Sequence, residues 1–315
     1  MIFFFYGTNT YTLRQKLRQM TAAYLEKSGS DFGLERIDGQ SVSADKLRSA
    51  LQAAPFLANS RLVIIENLGK NKAVSATIEH ILSGIPETTV AVFVETEPDA
   101  RTTYYKQMLS LAKPALFDQL PPPKLISWAK SEVERFGGTV ERPALALLLE
   151  QTNGDQWRLS EEIQKLVNFD PIVTVETVSQ LVEAGLSQSI FDLVDAMTTG
   201  RSGDALNIFR KLIQAREDEF KMLGMIQWQL RNLLLAKAGG QITSAELAKV
   251  AGMSPYVAGR VQANSRRYDI EVLKSSYKAA VDTEEAIKSG HIPSTVGVEQ
   301  LIYTISKLTQ PTRSA

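Results

Sequence analysis

Residues 2–17, IFFFYGTNTYTLRQKL, run from a buried strand through a short loop into the start of a helix, the layout of a phosphate-binding loop. Ile2, Phe3, Phe4, Phe5 and Tyr6 form a run rich in β-branched and aromatic residues, as strands covered on both faces of a parallel sheet are. The loop then supplies Gly7, Thr8, Asn9, Thr10, Tyr11 and Thr12 where a nucleotide-binding loop needs several glycines followed by Lys and Ser or Thr. Without the glycines the backbone N–H groups cannot close around a triphosphate. Without the lysine nothing neutralises its β and γ charges. The chain has the frame of a nucleotide switch without the chemistry, and is expected to act by binding.

Residues 62–65 and 90–94 are two further short apolar runs of strand type, and residues 13–27, 44–54 and 73–83 carry helical spacing between them. This segment reads as α/β. Pro121, Pro122 and Pro123 cannot continue a helix or a central strand, which predicts a boundary. Residues 124–136, 143–152 and 156–168 then read as helices of a small domain, with Gly137 and Gly138 at a helix end. A linker at 185–188 leads into helices over 190–197, 203–215, 219–237, 244–251, 255–264, 270–288 and 296–308, an all-helical bundle. The predicted domains are 1–122, 123–187 and 188–315.

Composition narrows the function classes. Of 315 residues, 44% are hydrophobic and 22% charged, enough to bury several cores. Lys plus Arg balances Asp plus Glu at 35 each, so no overall field draws the chain to nucleic acid or anionic membrane. There is no Cys, which excludes disulfides, Cys-type zinc sites and thiol nucleophiles, and two His (His80 and His291) make a His-rich metal site implausible. No metal site, cofactor or catalytic residue is predicted. The apolar start reaches Thr8 too soon, and without a basic flank, to serve as a signal peptide or membrane span, so the expected compartment is the cytoplasm.

Several stretches admit two readings. Glu66 and Asn67 end the strand at 62–65, where an active ATPase of this topology carries two acids; Glu66 is either a surviving catalytic acid or a polar residue leaving a strand. Pro55 ends a helix and fixes the turn after it, so that Phe56 and Leu57 either staple that helix to the sheet or anchor the chain in a partner's pocket. Residues 244–267 resemble a helix-turn-helix DNA reader. Its second helix, however, offers Tyr256, Val257, Ala258 and Val261 with a single Arg260, a poor surface for phosphates and base edges. Phe220, Leu223, Ile226, Trp228, Leu230, Leu233 and Leu234 recur at helical spacing and read as core.

In order along the chain, the loop at Gly7, Pro55–Phe56–Leu57 before Arg61 and the strand at 62–65, and Trp157, Arg158, Leu159, Glu162 and Lys165 resemble landmarks of one family. So do Ile190, Phe191, Asp192, Leu193, Val194, Asp195, Ala196 and Met197, the stretch 222–234, and Asp282 with Ile287, Lys288, Ser289 and Gly290. The family is the delta subunit of the bacterial DNA polymerase III clamp loader. The resemblance implies an α/β AAA+-like domain with a parallel sheet and no functional P-loop, a small helical lid, and an all-α collar for oligomerisation. It implies a non-catalytic component of the DNA polymerase III holoenzyme, itself a DNA-directed DNA polymerase. Its implied partners are the sliding clamp, the other loader subunits through the collar, and primed DNA within the assembly. Pro55, Phe56 and Leu57 match the family's clamp-binding segment, with Phe before Leu where other members have the reverse order. The alternative is a DNA-binding regulator that uses 244–267.

Overall fold

A computed structural model describes residues 1–55, 59–240 and 242–309. They form two compact units, Met1–Gln119 and the remainder from Leu120. The first unit alternates strands and helices: β1 (Ile2–Tyr6), α1 (Thr10–Ser28), β2 (Leu34–Asp38), α2 (Ala44–Gln52), β3 (Arg61–Glu66), α3 (Lys72–Ser75), α4 (Ile78–Leu82), β4 (Thr89–Glu95), α5 (Thr103–Leu111) and β5 (Lys113–Leu116). The five strands pair in the order β2-β3-β4-β1-β5, and every pairing is parallel.

Side chains alternate across a strand, so one apolar run feeds two layers. Phe4, Val63, Ile65, Ala91 and Phe93 face Leu47, Ile78, Ile81 and Met108 in one layer. Phe5, Leu62, Ile64, Val92 and Val94 face Leu13 and Leu17 of α1 in the other. The three strands read from sequence are the central ones. β2 and β5 escaped because they are edges: one carries Glu35, Arg36 and Asp38, the other Lys113 and Pro114, and an edge tolerates both charge and proline. The helix expected over 73–83 is broken into α3 and α4, and α2 stops at Gln52, two residues early.

The second unit contains α6 (Pro122–Arg135), β6 (Thr139–Val140), α7 (Arg142–Gln151), α8 (Gln156–Phe169), β7 (Ile172–Val173), α9 (Val175–Leu181), α10 (Leu186–Thr198), α11 (Ser202–Gln214), α12 (Glu219–Ala238), α13 (Ser244–Ala251), α14 (Pro255–Ser265), α15 (Ile270–Lys288) and α16 (Ser294–Leu308). The proline run does not separate the units by breaking structure. Pro121 caps α6 and Pro122 opens it, since a first-turn residue needs no N–H partner. The linker expected at 185–188 is also absorbed, because α10 begins at Leu186. β6 and β7 pair in parallel over two residues each, an element too short to leave a periodic signal.

Two apolar clusters fill this unit. One joins Leu125, Leu148, Leu159, Ile163 and Val178; the other joins Leu193, Phe209, Ile226, Leu230, Leu273, Leu301 and Ile305. The reading of α12 as core holds for Leu223, Ile226, Leu230 and Leu233 but not for its aromatics: Phe220 is 47% and Trp228 38% exposed. Helical spacing places a stripe on a face without saying that the face is covered.

Candidate functional site

The C-terminal edge of the parallel sheet is where a nucleotide would sit in this topology. Gly7 leaves β1 there with φ of 130°, and its N–H donates to the Glu95 carbonyl at 3.0 Å. On the other side the Phe117 N–H donates to the Tyr6 carbonyl at 2.7 Å, and the Asn9 N–H donates to the Phe117 carbonyl at 3.0 Å. A Cβ at position 7 would lie 2.1 Å from the Phe117 oxygen. The glycine is needed because neighbouring backbone fills the space a side chain would take.

The loop expected over Gly7–Thr12 is shorter, since Thr10, Tyr11 and Thr12 already belong to α1. Asn9, 2% exposed, caps that helix: its Oδ1 accepts the Thr12 N–H at 3.0 Å, and its Nδ2 donates to the Asp118 carbonyl at 3.1 Å. Thr10 N–H donates to the Thr8 carbonyl at 3.0 Å, and the same carbonyl accepts from Gln119 Nε2 at 2.8 Å. The N–H groups of Gly7, Asn9, Thr10 and Thr12 are thus all turned onto the protein's own oxygens. A phosphate cradle needs such groups pointing outward together.

Three strands end in acids at the same edge: Asp38 closes β2 beside Glu66 of β3, and Glu95 closes β4. Glu66, ending β3, is held by Arg14 of α1 through two contacts of 2.6 Å, Nη1 to Oε1 and Nη2 to Oε2, with Arg36 at 4.0 Å. A carboxylate gripped by a two-pronged guanidinium has both oxygens engaged and is no free base. Of the two readings of Glu66, this arrangement is structural. Glu95, ending β4, is 4% exposed and accepts the Gly69 N–H at 2.7 Å. Burial pushes its carboxyl above the usual range, with the Gly69 N–H and nearby Lys70 opposing. Glu95 was missed in the sequence; its one signal is an acid closing an otherwise apolar strand.

The Pro55 segment leaves the same unit between α2 and β3. Phe56, Leu57 and Ala58 lie outside the described residues; their stem does not. Arg61, its side chain 13% exposed, donates from Nη1 to the Ala53 carbonyl at 3.3 Å and from Nη2 to Glu35 at 2.7 Å, while its N–H donates to the Thr88 carbonyl at 2.9 Å. One guanidinium therefore joins the end of α2, the edge strand β2 and the start of β3. Pro55 itself is half-buried.

The helix pair at 244–267 is a structural part of the second unit. Leu247, Ala248, Val257, Ala258 and Val261 are all buried in the larger helical cluster. Arg260, the single cation of the would-be reading helix, donates to Gln188 Oε1 at 2.6 Å and Glu150 Oε1 at 3.0 Å and lies over the Phe191 ring. A DNA-reading arginine must be free to reach a base edge. This one is occupied.

Two family descriptions match the sequence: "DNA polymerase III, delta subunit" over residues 3–115, and "DNA polymerase III delta subunit, C-terminal domain" over 187–305, together well over half of the chain. The chain belongs to the DNA polymerase III delta subunit family. The DNA polymerase III subunit delta of Bacillus subtilis (strain 168) is 27% identical over 258 residues, spanning 75% of this chain and 72% of that protein. The solved structure of the Bacillus subtilis DNA clamp loader delta protein superposes with a TM-score of 0.72 at 21% identity, covering 97% of this chain and 95% of that one, which shows the shared fold.

Within this family fold, the motif at residues 190–197 acts as a fastener. Asp195 accepts Arg201 at 2.6 Å, Arg267 at 3.0 Å and the Tyr268 hydroxyl at 2.5 Å, tying α10 to the turn before α11 and the junction of α14 and α15. The stretch at 157–166 does likewise: Arg158 donates to the Gln151 carbonyl at 3.2 Å, and Lys165 donates to the Leu181 carbonyl at 2.7 Å.

Proposed function

We propose that this chain is the clamp-binding subunit of the replicative clamp loader: it grips the sliding clamp with its first unit and helps open it for loading onto primed DNA. The observation that carries the reading is the spent phosphate loop in a member of the delta family. The amides of Gly7, Asn9, Thr10 and Thr12 bond internally, and Glu66 is locked by Arg14. Turnover of ATP then belongs to partner subunits, and this chain contributes binding energy. The proposed division of labour is 1–122 for the clamp, 123–187 as a lid, and 188–315 as a collar that joins the other loader subunits.

Phe56 and Leu57, presented by Pro55, are the proposed anchors in an apolar pocket of the clamp. Burial of two large apolar side chains contributes about 3–6 kcal/mol, at about 1.5–3 each. Binding shifts the clamp toward an open form only by its preference for that form over the closed one. The test is the affinity of the Phe56→Ala, Leu57→Ala double variant for the purified clamp. A weakening of about 100-fold or more is expected, at about 1.4 kcal/mol per tenfold. Unchanged affinity in a folded variant removes these residues from the interface and sinks the reading.

A further inference from the structure

The segment that leaves α2 at Ala53 and rejoins the sheet at Arg61 is held at both ends by side chains. At its upstream end α2 gives out in an extended Ala53, whose carbonyl is among the acceptors that a helix C-terminus leaves without an intrahelical partner. Arg61, eight positions on, supplies that partner: its Nη1 donates to the Ala53 carbonyl at 3.3 Å, while Glu35 receives its Nη2 at 2.7 Å and so aims the guanidinium. At the downstream end the Tyr24 hydroxyl of α1 donates to the Ser60 carbonyl at 2.9 Å.

Neither contact is needed to set the sheet. Backbone bonds already do so: the Arg61 N–H donates to the Thr88 carbonyl at 2.9 Å, the Leu62 N–H donates to the Gly33 carbonyl at 2.8 Å, and β3 is paired on both sides from Leu62 to Glu66. The downstream contact also explains a glycine. Gly33 is buried, and a Cβ there would lie 2.1 Å from the Tyr24 hydroxyl and 2.7 Å from the Ser60 oxygen, so position 33 carries no side chain where those two groups meet. Ala53, Ala54 and Asn59 are themselves exposed. The two side chains therefore fix the ends of a surface segment and add nothing to a core.

We propose that Arg61 and Tyr24 are positioning residues for clamp binding: they pin the two ends of the segment that carries Phe56 and Leu57, so that the chain meets the clamp with less freedom left to lose. The proposal rests on the reading of Phe56 and Leu57 as clamp anchors and names the residues that act through them. Ordering a segment beforehand removes its entropy cost from the binding step. Where only a fraction of molecules holds the competent arrangement, the apparent affinity drops by that fraction, through slower association. Arginine suits the upstream pin because its planar fork reaches a carboxylate and a carbonyl together, whereas a single ammonium on a flexible stem does not hold both.

The test measures association and dissociation rates of the full chain on immobilised, purified clamp. Arg61→Lys keeps a cation facing Glu35 and gives up the fork; Tyr24→Phe removes only the hydroxyl. Each should weaken binding about three- to tenfold, the worth of one hydrogen bond, with the loss in the association rate and the dissociation rate held within about twofold. Amide exchange at Val63 and Ile64 should match the parent, which shows that β3 is intact. If Arg61→Lys loses that protection, Tyr24→Phe decides alone. Parental rates in a folded variant strike that residue from the proposal, and parental rates in both overturn it. A loss that falls on the dissociation rate overturns it too, because the side chains would then be contacts and not supports. Failure of the unaltered chain to bind the clamp, or unchanged binding by the Phe56→Ala, Leu57→Ala variant, instead overturns the anchor reading beneath it.

Discussion

Gly7→Ala tests whether the loop after β1 is built for the fold or kept for a ligand. At φ of 130° any residue with a Cβ is strained, and here the new carbon would lie 2.1 Å from the Phe117 carbonyl oxygen, a backbone atom that cannot swing away. The backbone strain costs about 1–3 kcal/mol. Moving Phe117 aside also disturbs its two hydrogen bonds, to Tyr6 at 2.7 Å and from Asn9 at 3.0 Å, at about 1 kcal/mol each. A loss of about 3–5 kcal/mol is expected, felt by β1 and both strands that flank it. Because the chain has two units, a single melting temperature would blur the result. Native-state hydrogen exchange at the amides of Phe4 and Phe5 reads the first unit alone, and their protection should fall by at least 100-fold. Protection within threefold of the unaltered protein would refute the argument from crowding.

Two further predictions concern buried titratable groups. Glu95 holds its proton to higher pH when folded than when unfolded, so its contribution to stability is full below the ordinary glutamate range and declines as pH rises through the folded-state value. Glu95→Gln keeps an acceptor for the Gly69 N–H and removes the charge, so denaturant unfolding across pH should lose that part of the decline; an unaltered profile counts against it. In the second unit, burial and Asp195 push the Tyr268 hydroxyl up to about 12, from an ordinary value of 10.0. That contribution is complete below the ordinary value and is lost as pH climbs through about 12. Tyr268→Phe should cost about 1.5–3 kcal/mol near neutrality, for one hydrogen bond to a charged acceptor, and flatten the alkaline fall in stability. A variant as stable as its parent, with the alkaline fall intact, would show that the Asp195 fastener does not depend on this bond.

What could be read in the residues beforehand was whatever a short window encodes. The runs at 2–6, 62–65 and 90–94 are continuous apolar stretches of strand length, and the helices of the second unit carry a period-3.6 signal of their own. The lack of further glycines and of a lysine in the stretch from Thr8 to Thr12 is visible without coordinates, because a triphosphate makes fixed demands on residue type. The family landmarks were legible for the same reason: they are strings. Edge strands with charge or proline, the paired residues of β6 and β7, and the break between α3 and α4 were not, since each is decided by a partner distant in sequence.

The chain's own letters thus determined that the first unit is a parallel α/β sheet whose first loop lacks the residue types of a phosphate-binding loop, and that helices follow it. Only tertiary structure decided how the groups at that edge are used: the amides of Gly7, Asn9, Thr10 and Thr12 turned onto carbonyl and side-chain oxygens, Arg14 closed on Glu66, and Arg61 clasping the stem of the Pro55 segment. It also decided that Phe220 and Trp228 face outward and Arg260 inward. The reason is physical. Periodicity fixes which residues share a face, but whether a face is covered, and whether a charge is free, depends on which remote segment packs against it.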